Sequence, residues 1–141
     1  SLRRLIEENL YWVLVFDRWM VDANWPLTQQ TVLGMIPAPM RLVIAPIARR
    51  GVRRQLLGHG IGLHAPEEIH AIGAKDVGAI ADFLGGKTFL MGDTPTEIDA
   101  VAYGLLANIM CVPIASPVKD AAARRVTLVD YVQLIRARYF A

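Results

Sequence analysis

Residues 92–104 read GDTPTEIDAVAYG, and no other stretch of the chain restricts its fold as tightly. Thr96 followed three residues later by Asp99 has the layout of a capping box, with Asp where Glu or Gln is commoner. In that device the Thr96 hydroxyl accepts from the N–H of residue 99, and the Asp99 carboxylate reaches back to the N–H of residue 96. Pro95 cannot continue a helix backwards and disfavours the helical region at Thr94, so the start is sharp. The helix so opened, EIDAVAYGLLANIM, is apolar around nearly its whole circumference after Asp99, the mark of a helix at the centre of a domain. A cap is worth about 0.5–2 kcal/mol, and one on a buried helix lies at the upper end.

The other elements are also helical by pattern. From Leu2 to about Ala23, Leu2, Ile6, Asn9, Val13, Phe16 and Met20 make one side, with Asn9 the polar exception, and Glu8, Trp12, Val15 and Trp19 a second. NWPLTQQTVLGMIPAP reads as a short helical turn and a loop. Pro39 suits the first turn of a second helix running to about Leu57, ended by Gly58 and kinked at Pro46. GHGIGLH, with three glycines in five residues, reads as a flexible connector. Pro66 opens a third helix, with Glu67 and Glu68 placed for the N-terminal dipole and Gly85 and Gly86 as its stop. Ser116 and Pro117 start a short helix to about Arg125, and Thr127 with Asp130 has the spacing to box the last one. The expectation is an all-α bundle of about six helices in a single domain, residues 1–141.

Composition narrows the functional classes. A chain of 141 residues can bury well over half of its unfolded surface and so own a core. Its one cysteine, Cys111, excludes an intramolecular disulfide, suits a reducing compartment such as the cytoplasm, and inside an apolar run reads as a buried inert thiol. A net charge of +2 with sparse aromatics argues against nucleic acid. The longest apolar run, Val32–Ala48, holds three prolines and Arg41 and is rejected as a membrane span. The SLRRLIEENLYW start has acids directly after its arginines and does not read as a secretory signal. No acidic residue stands between Asp22 and Glu67, while Arg41, Arg49, Arg50, Arg53 and Arg54 all fall in that gap.

FLMGDTPTEIDAVAYGLLANI resembles the signature of the glutathione S-transferase C-terminal domain, in which a Gly-Asp pair precedes a Ser/Thr-x-x-Asp box opening the buried sixth helix. EENLYWVLVFDRWM, RRGVRRQLLGHGIGLHAPEEI, FLGGKTFLMGDTPT and VDYVQLIRARYF are together similar to the failed axon connections branch, of which metaxins are more distant members. One departure is Ala65, where relatives usually carry Ser or Thr, which weakens the cap before PEEI. The resemblance implies that an N-terminal thioredoxin-like domain is absent from this chain. In the intact family that domain supplies most glutathione contacts and the activating Ser, Tyr or Cys. This chain would then contribute the hydrophobic co-substrate side of a glutathione-dependent site, with no cofactor of its own. A metaxin-like scaffold is the alternative, and on either reading this chain alone is inactive. A homodimer is the usual family state.

The family places the first helix of this domain at the cleft, which makes Glu8, Tyr11 and Trp12 candidate substrate-binding residues, with Tyr103 within reach from the buried helix. Ordinary packing or interdomain contact is the competing reading. Thr96 and Asp99 are structural, because a carboxylate held by backbone N–H groups is not free to move protons. His59, His64 and His70, near Glu67 and Glu68, match no zinc spacing, and no metal site is expected; they read as surface or loop residues. Arg49, Arg50, Arg53 and Arg54 form like-charged pairs one turn apart. They call for acidic compensation from a neighbouring helix, the missing domain or a dimer partner, or else for an anionic membrane surface.

Overall fold

The computed structural model describes residues 1–140 and contains seven helices. Helix α1 runs without a break through α-helical Leu2–Arg4, a π-helical segment Leu5–Leu10 and α-helical Tyr11–Trp19. It is followed by α2 (Trp25–Val32), α3 (Ala38–His59), α4 (Pro66–Leu84), α5 (Glu97–Met110), α6 (Pro117–Ala123) and α7 (Val126–Tyr139). Among the described residues there is no strand, and no helix is long and apolar enough to cross a membrane. The seventh helix beyond the expected six is α2: the turn expected there extends to two full turns, with Pro26 seated in its first.

The core is where α1, α4, α5, α6 and α7 meet. Ile6, Leu10 and Val13 from α1 pack with Ile69, Val77 and Ile80 from α4, Ala102 and Leu106 from α5, Val118 and Ala122 from α6, and Leu128 and Val132 from α7. Burying each large side chain contributes about 1.5–3 kcal/mol. Gly73 sets how closely α4 approaches: a Cβ there would lie 2.7 Å from both Val13 Cγ1 and Val118 Cγ2, so glycine lets three helices cross at one point. The turn after α1 is tied by buried side chains. Asn24 Nδ2 donates to the carbonyls of Asp17 and Ala115, each at 3.0 Å, and the Thr28 hydroxyl donates to the Arg18 carbonyl at 2.5 Å.

Several boundaries differ from the sequence reading. Helix α1 ends at Trp19 rather than near Ala23. Helix α3 starts at Ala38 and continues through Gly58, stopping at Gly60, whose φ of 103° is the left-handed conformation that ends helices. The GHGIGLH connector is ordered, with Gly58 and His59 in α3 and a 3₁₀ turn at Ile61–Leu63. The Thr127–Asp130 box does not form. Helix α7 already begins at Val126, where the chain turns directly out of α6 and the N–H groups of Leu128 and Val129 bond to the Arg125 carbonyl. Ser116 caps α6, its hydroxyl accepting from Lys119 N–H at 3.0 Å. At Ala65 the missing hydroxyl is partly offset by Glu68, which accepts the Ala65 N–H at 3.2 Å.

Candidate functional site

Asp99 is the best-satisfied carboxylate among the described residues. One oxygen accepts from Leu90 N–H at 2.9 Å and Tyr131 O–H at 2.8 Å, the other from Thr96 N–H at 2.8 Å and the Thr96 hydroxyl at 3.3 Å. The Thr96 hydroxyl thus donates to the carboxylate, and the Asp99 N–H closes on the Thr96 carbonyl at 3.0 Å. Burial and the adjacent Asp99 charge push the Tyr131 phenol well above its ordinary range. A carboxylate held by four donors is a structural joint between the 89–96 connector, α5 and α7, with no freedom for proton transfer.

Helix α5 is not buried around its whole circumference. Ala100, Gly104 and Asn108, four residues apart, form an exposed stripe. Facing it on α1 are Tyr11, Leu14 and Arg18, and between the two helices lies an open groove of about 570 Å³. Polar ties close both ends. Arg3 bridges Glu7 at 3.2 Å and Glu97 at 3.0 Å at one end; at the other, Arg18 donates to the Asn108 carbonyl at 2.9 Å and to its side-chain oxygen at 3.2 Å. Burial lowers the pKa of Arg18, yet an arginine keeps its charge. Gly104 has nothing within 4 Å of the place a Cβ would occupy, so no neighbour inside the chain requires glycine there. A glycine inside a helix costs about 1 kcal/mol relative to alanine, and here it leaves the groove wall flat.

Of the four candidate substrate residues, Tyr11 and Trp12 meet edge to face with ring centroids 5.4 Å apart, but only Tyr11 reaches the groove. Tyr11, 46% exposed, lines the groove. Trp12 turns toward α3 and lies against the His59 ring, centroids 5.0 Å apart, while His59 Nε2 is 2.8 Å from the Glu8 carbonyl. The Glu8 carboxylate pairs with Arg4 at 3.0 Å. Tyr103 stacks on Phe140 at 5.0 Å, beyond the groove lining. Helical geometry explains why only Tyr11 lines the groove although its ring touches that of Trp12, because adjacent residues leave a helix about 100° apart. Leu14 and Arg18, which the sequence reading passed over, share the Tyr11 face at i+3 and i+7; that spacing was the available signal.

The histidines also differ from a uniform surface set. His70 is partly buried, with Nε2 2.6 Å from an oxygen of Asp17, a carboxylate buried beneath it. Burial pushes the Asp17 carboxyl up, and the His70 hydrogen bond opposes that. Among the described residues no three His, Cys, Asp or Glu side chains gather as metal ligands. Cys111 is exposed rather than buried, because α5 ends at Met110 and leaves it at the C-cap. Of the arginines, Arg49 is fully engaged: it pairs with Asp22 at 2.7 Å, donates to the Trp19 and Met20 carbonyls, and lies 4.9 Å from the Trp25 ring centroid. Arg50, Arg53 and Arg54 are exposed and have no acidic partner among the described residues.

Residues 73–135 match the family model described as glutathione S-transferase, C-terminal domain. The chain is 31% identical over 141 residues to the isoprene-epoxide–glutathione S-transferase of Rhodococcus sp. (strain AD45), covering 99% of this chain and 59% of that protein. It is 32% identical over 148 residues to Failed axon connections of Drosophila melanogaster, covering 96% of this chain and 35% of that protein. The chain thus spans less than two thirds of the Rhodococcus protein and about one third of the Drosophila protein. No solved structure matches it significantly.

Proposed function

Because the chain belongs to the glutathione S-transferase C-terminal domain family, we propose that it is the helical half of a glutathione-dependent site completed by a thioredoxin-like domain. The groove between α1 and α5 is the face that domain closes over. Tyr11, at the groove mouth, contacts the hydrophobic co-substrate. The observation that carries this reading is the flat wall at Ala100 and Gly104, open to solvent on a helix whose opposite face, at Ala102, Leu105, Leu106 and Ile109, is core. Glutathione and the thiol-activating group belong to the other domain. Helical half and groove together supply apolar surface and orientation, which is how a binding domain raises the effective concentration of a second substrate.

The Rhodococcus relative is named for isoprene epoxide, which makes a small epoxide the first electrophile to try. In the whole protein, Gly104→Leu fills the groove and lowers kcat/KM for glutathione addition to the epoxide by about ten-fold or more. Tyr11→Ala raises KM with little change in kcat. Unchanged kinetics in both variants would contradict the assignment of the groove. The same small-residue wall also suits the close approach of another protein's helix, and this supports a second reading as a non-enzymatic interaction module. That reading predicts no turnover with any epoxide, and a partner lost on Gly104→Leu.

A further inference from the structure

On the opposite face of α1 from the groove lies a second concavity of about 620 Å³, between the C-terminal end of α1, the middle of α3 and the start of α4. Its floor is apolar, made by Phe16 from α1, Met20 just after it and Leu56 from α3, with the exposed Leu57 at its edge, and its rim carries Arg50 and Arg53. We propose that this cleft is a binding site for an amphipathic carboxylate, its hydrocarbon part on the floor and its carboxylate between Arg50 and Arg53. The assignment does not rest on the glutathione reading.

Three observations point to the ligand's chemistry. The size falls in the range of about 300–1,000 Å³ typical of small-molecule sites, and the cleft sets an apolar floor beside a polar, mostly basic rim, the division an amphipathic ligand requires. The other charged groups at the cleft are already satisfied: Arg49 and Asp22 pair at 2.7 Å, and His64 Nδ1 is 3.2 Å from Glu68. Arg50 and Arg53 remain, one turn apart on the same helix and uncompensated, in a stretch without an acidic residue from 23 to 66. Like charges at that spacing repel, and a bound carboxylate relieves the repulsion through charge-assisted hydrogen bonds. Arg54 stands one turn from Arg50 but does not line the cleft, which provides an internal control.

The test is a titration with decanoate, below micelle formation, followed by calorimetry and by tryptophan fluorescence, since Trp19 and Trp25 lie beside Arg49. One saturable site is expected. Arg50→Glu/Arg53→Glu weakens it at least about ten-fold, the equivalent of one lost charge-assisted bond. Arg54→Glu leaves it within about two-fold, and methyl decanoate binds at least about ten-fold more weakly than the acid. Both cleft arginines are exposed, so the variants retain the helical circular dichroism of the parent. No saturable decanoate binding, equal binding of the ester, or an equal loss in Arg54→Glu would overturn the site. So would sedimentation with phosphatidylserine vesicles by a protein that ignores decanoate, an outcome that makes the arginines a membrane-facing patch.

Discussion

Asp99 gathers four hydrogen bonds from three residues, two in the 89–96 connector and one on α7, so its removal leaves the buried Leu90 N–H and Tyr131 O–H without a partner. Asp99→Ala therefore destabilises the domain by on the order of 3–5 kcal/mol, and Tyr131→Phe, which removes one bond to a charged acceptor, by about 2 kcal/mol. Chemical denaturation of both single variants and the double variant checks this: the two losses fall short of adding, because they share one bond. A fully additive pair would mean that Tyr131 and Asp99 do not interact in solution. Thr96 and Asp99 were legible as a cap because the device is local, fixed by a spacing of three. Tyr131 and the Leu90 N–H were not, since they arrive from 32 and 9 residues away and no local pattern announces them. Cys111 was misread for a related reason: the apolar run continues past Met110, although the helix that would have buried it does not.

At the scale of elements, the packing of α1 on α4 includes one polar joint. Asn9, in the π-helical segment of α1, donates to the Asp76 carboxylate of α4 at 2.6 Å. Burial raises the Asp76 carboxyl to about 6, against smaller opposing contributions from Asn9 and Lys75. A carboxyl whose folded pKa lies above its unfolded value binds its proton more tightly when folded. Its contribution is therefore full below the unfolded value near 4 and is lost as pH rises through about 6. Thermal unfolding between pH 4 and 7 accordingly shows a component falling with pH, at most about 1.4 kcal/mol per unit, and Asp76→Asn abolishes it. A slope identical in parent and variant would refute the assignment. The helices themselves were readable from apolar spacing and proline, but their ends depended on which glycine takes positive φ. Among the three glycines of residues 58–62, composition does not distinguish Gly58 from Gly60; the turn into Ile61 does. Asn9 stood out in the sequence as a polar break in an apolar face, and its partner, 67 residues away, did not.

For the whole molecule, the fold reduces to a five-helix core with α2 and α3 laid against one face of α1 and an open groove on the other. The all-α class was legible because every segment carries helical spacing and none a strand pattern. The groove was not, because the sequence of α5 looks apolar all round; small residues count as apolar whether they face a core or an empty wall. Its exposure makes sense if another domain covers it, which is the central claim. The most direct measurement is glutathione binding by calorimetry, run in parallel on residues 1–141 and on a protein extended to the length of its relatives. The account predicts binding by the extended protein and none by residues 1–141, both samples being folded. Binding by residues 1–141 alone, or none by a folded extended protein, would contradict it.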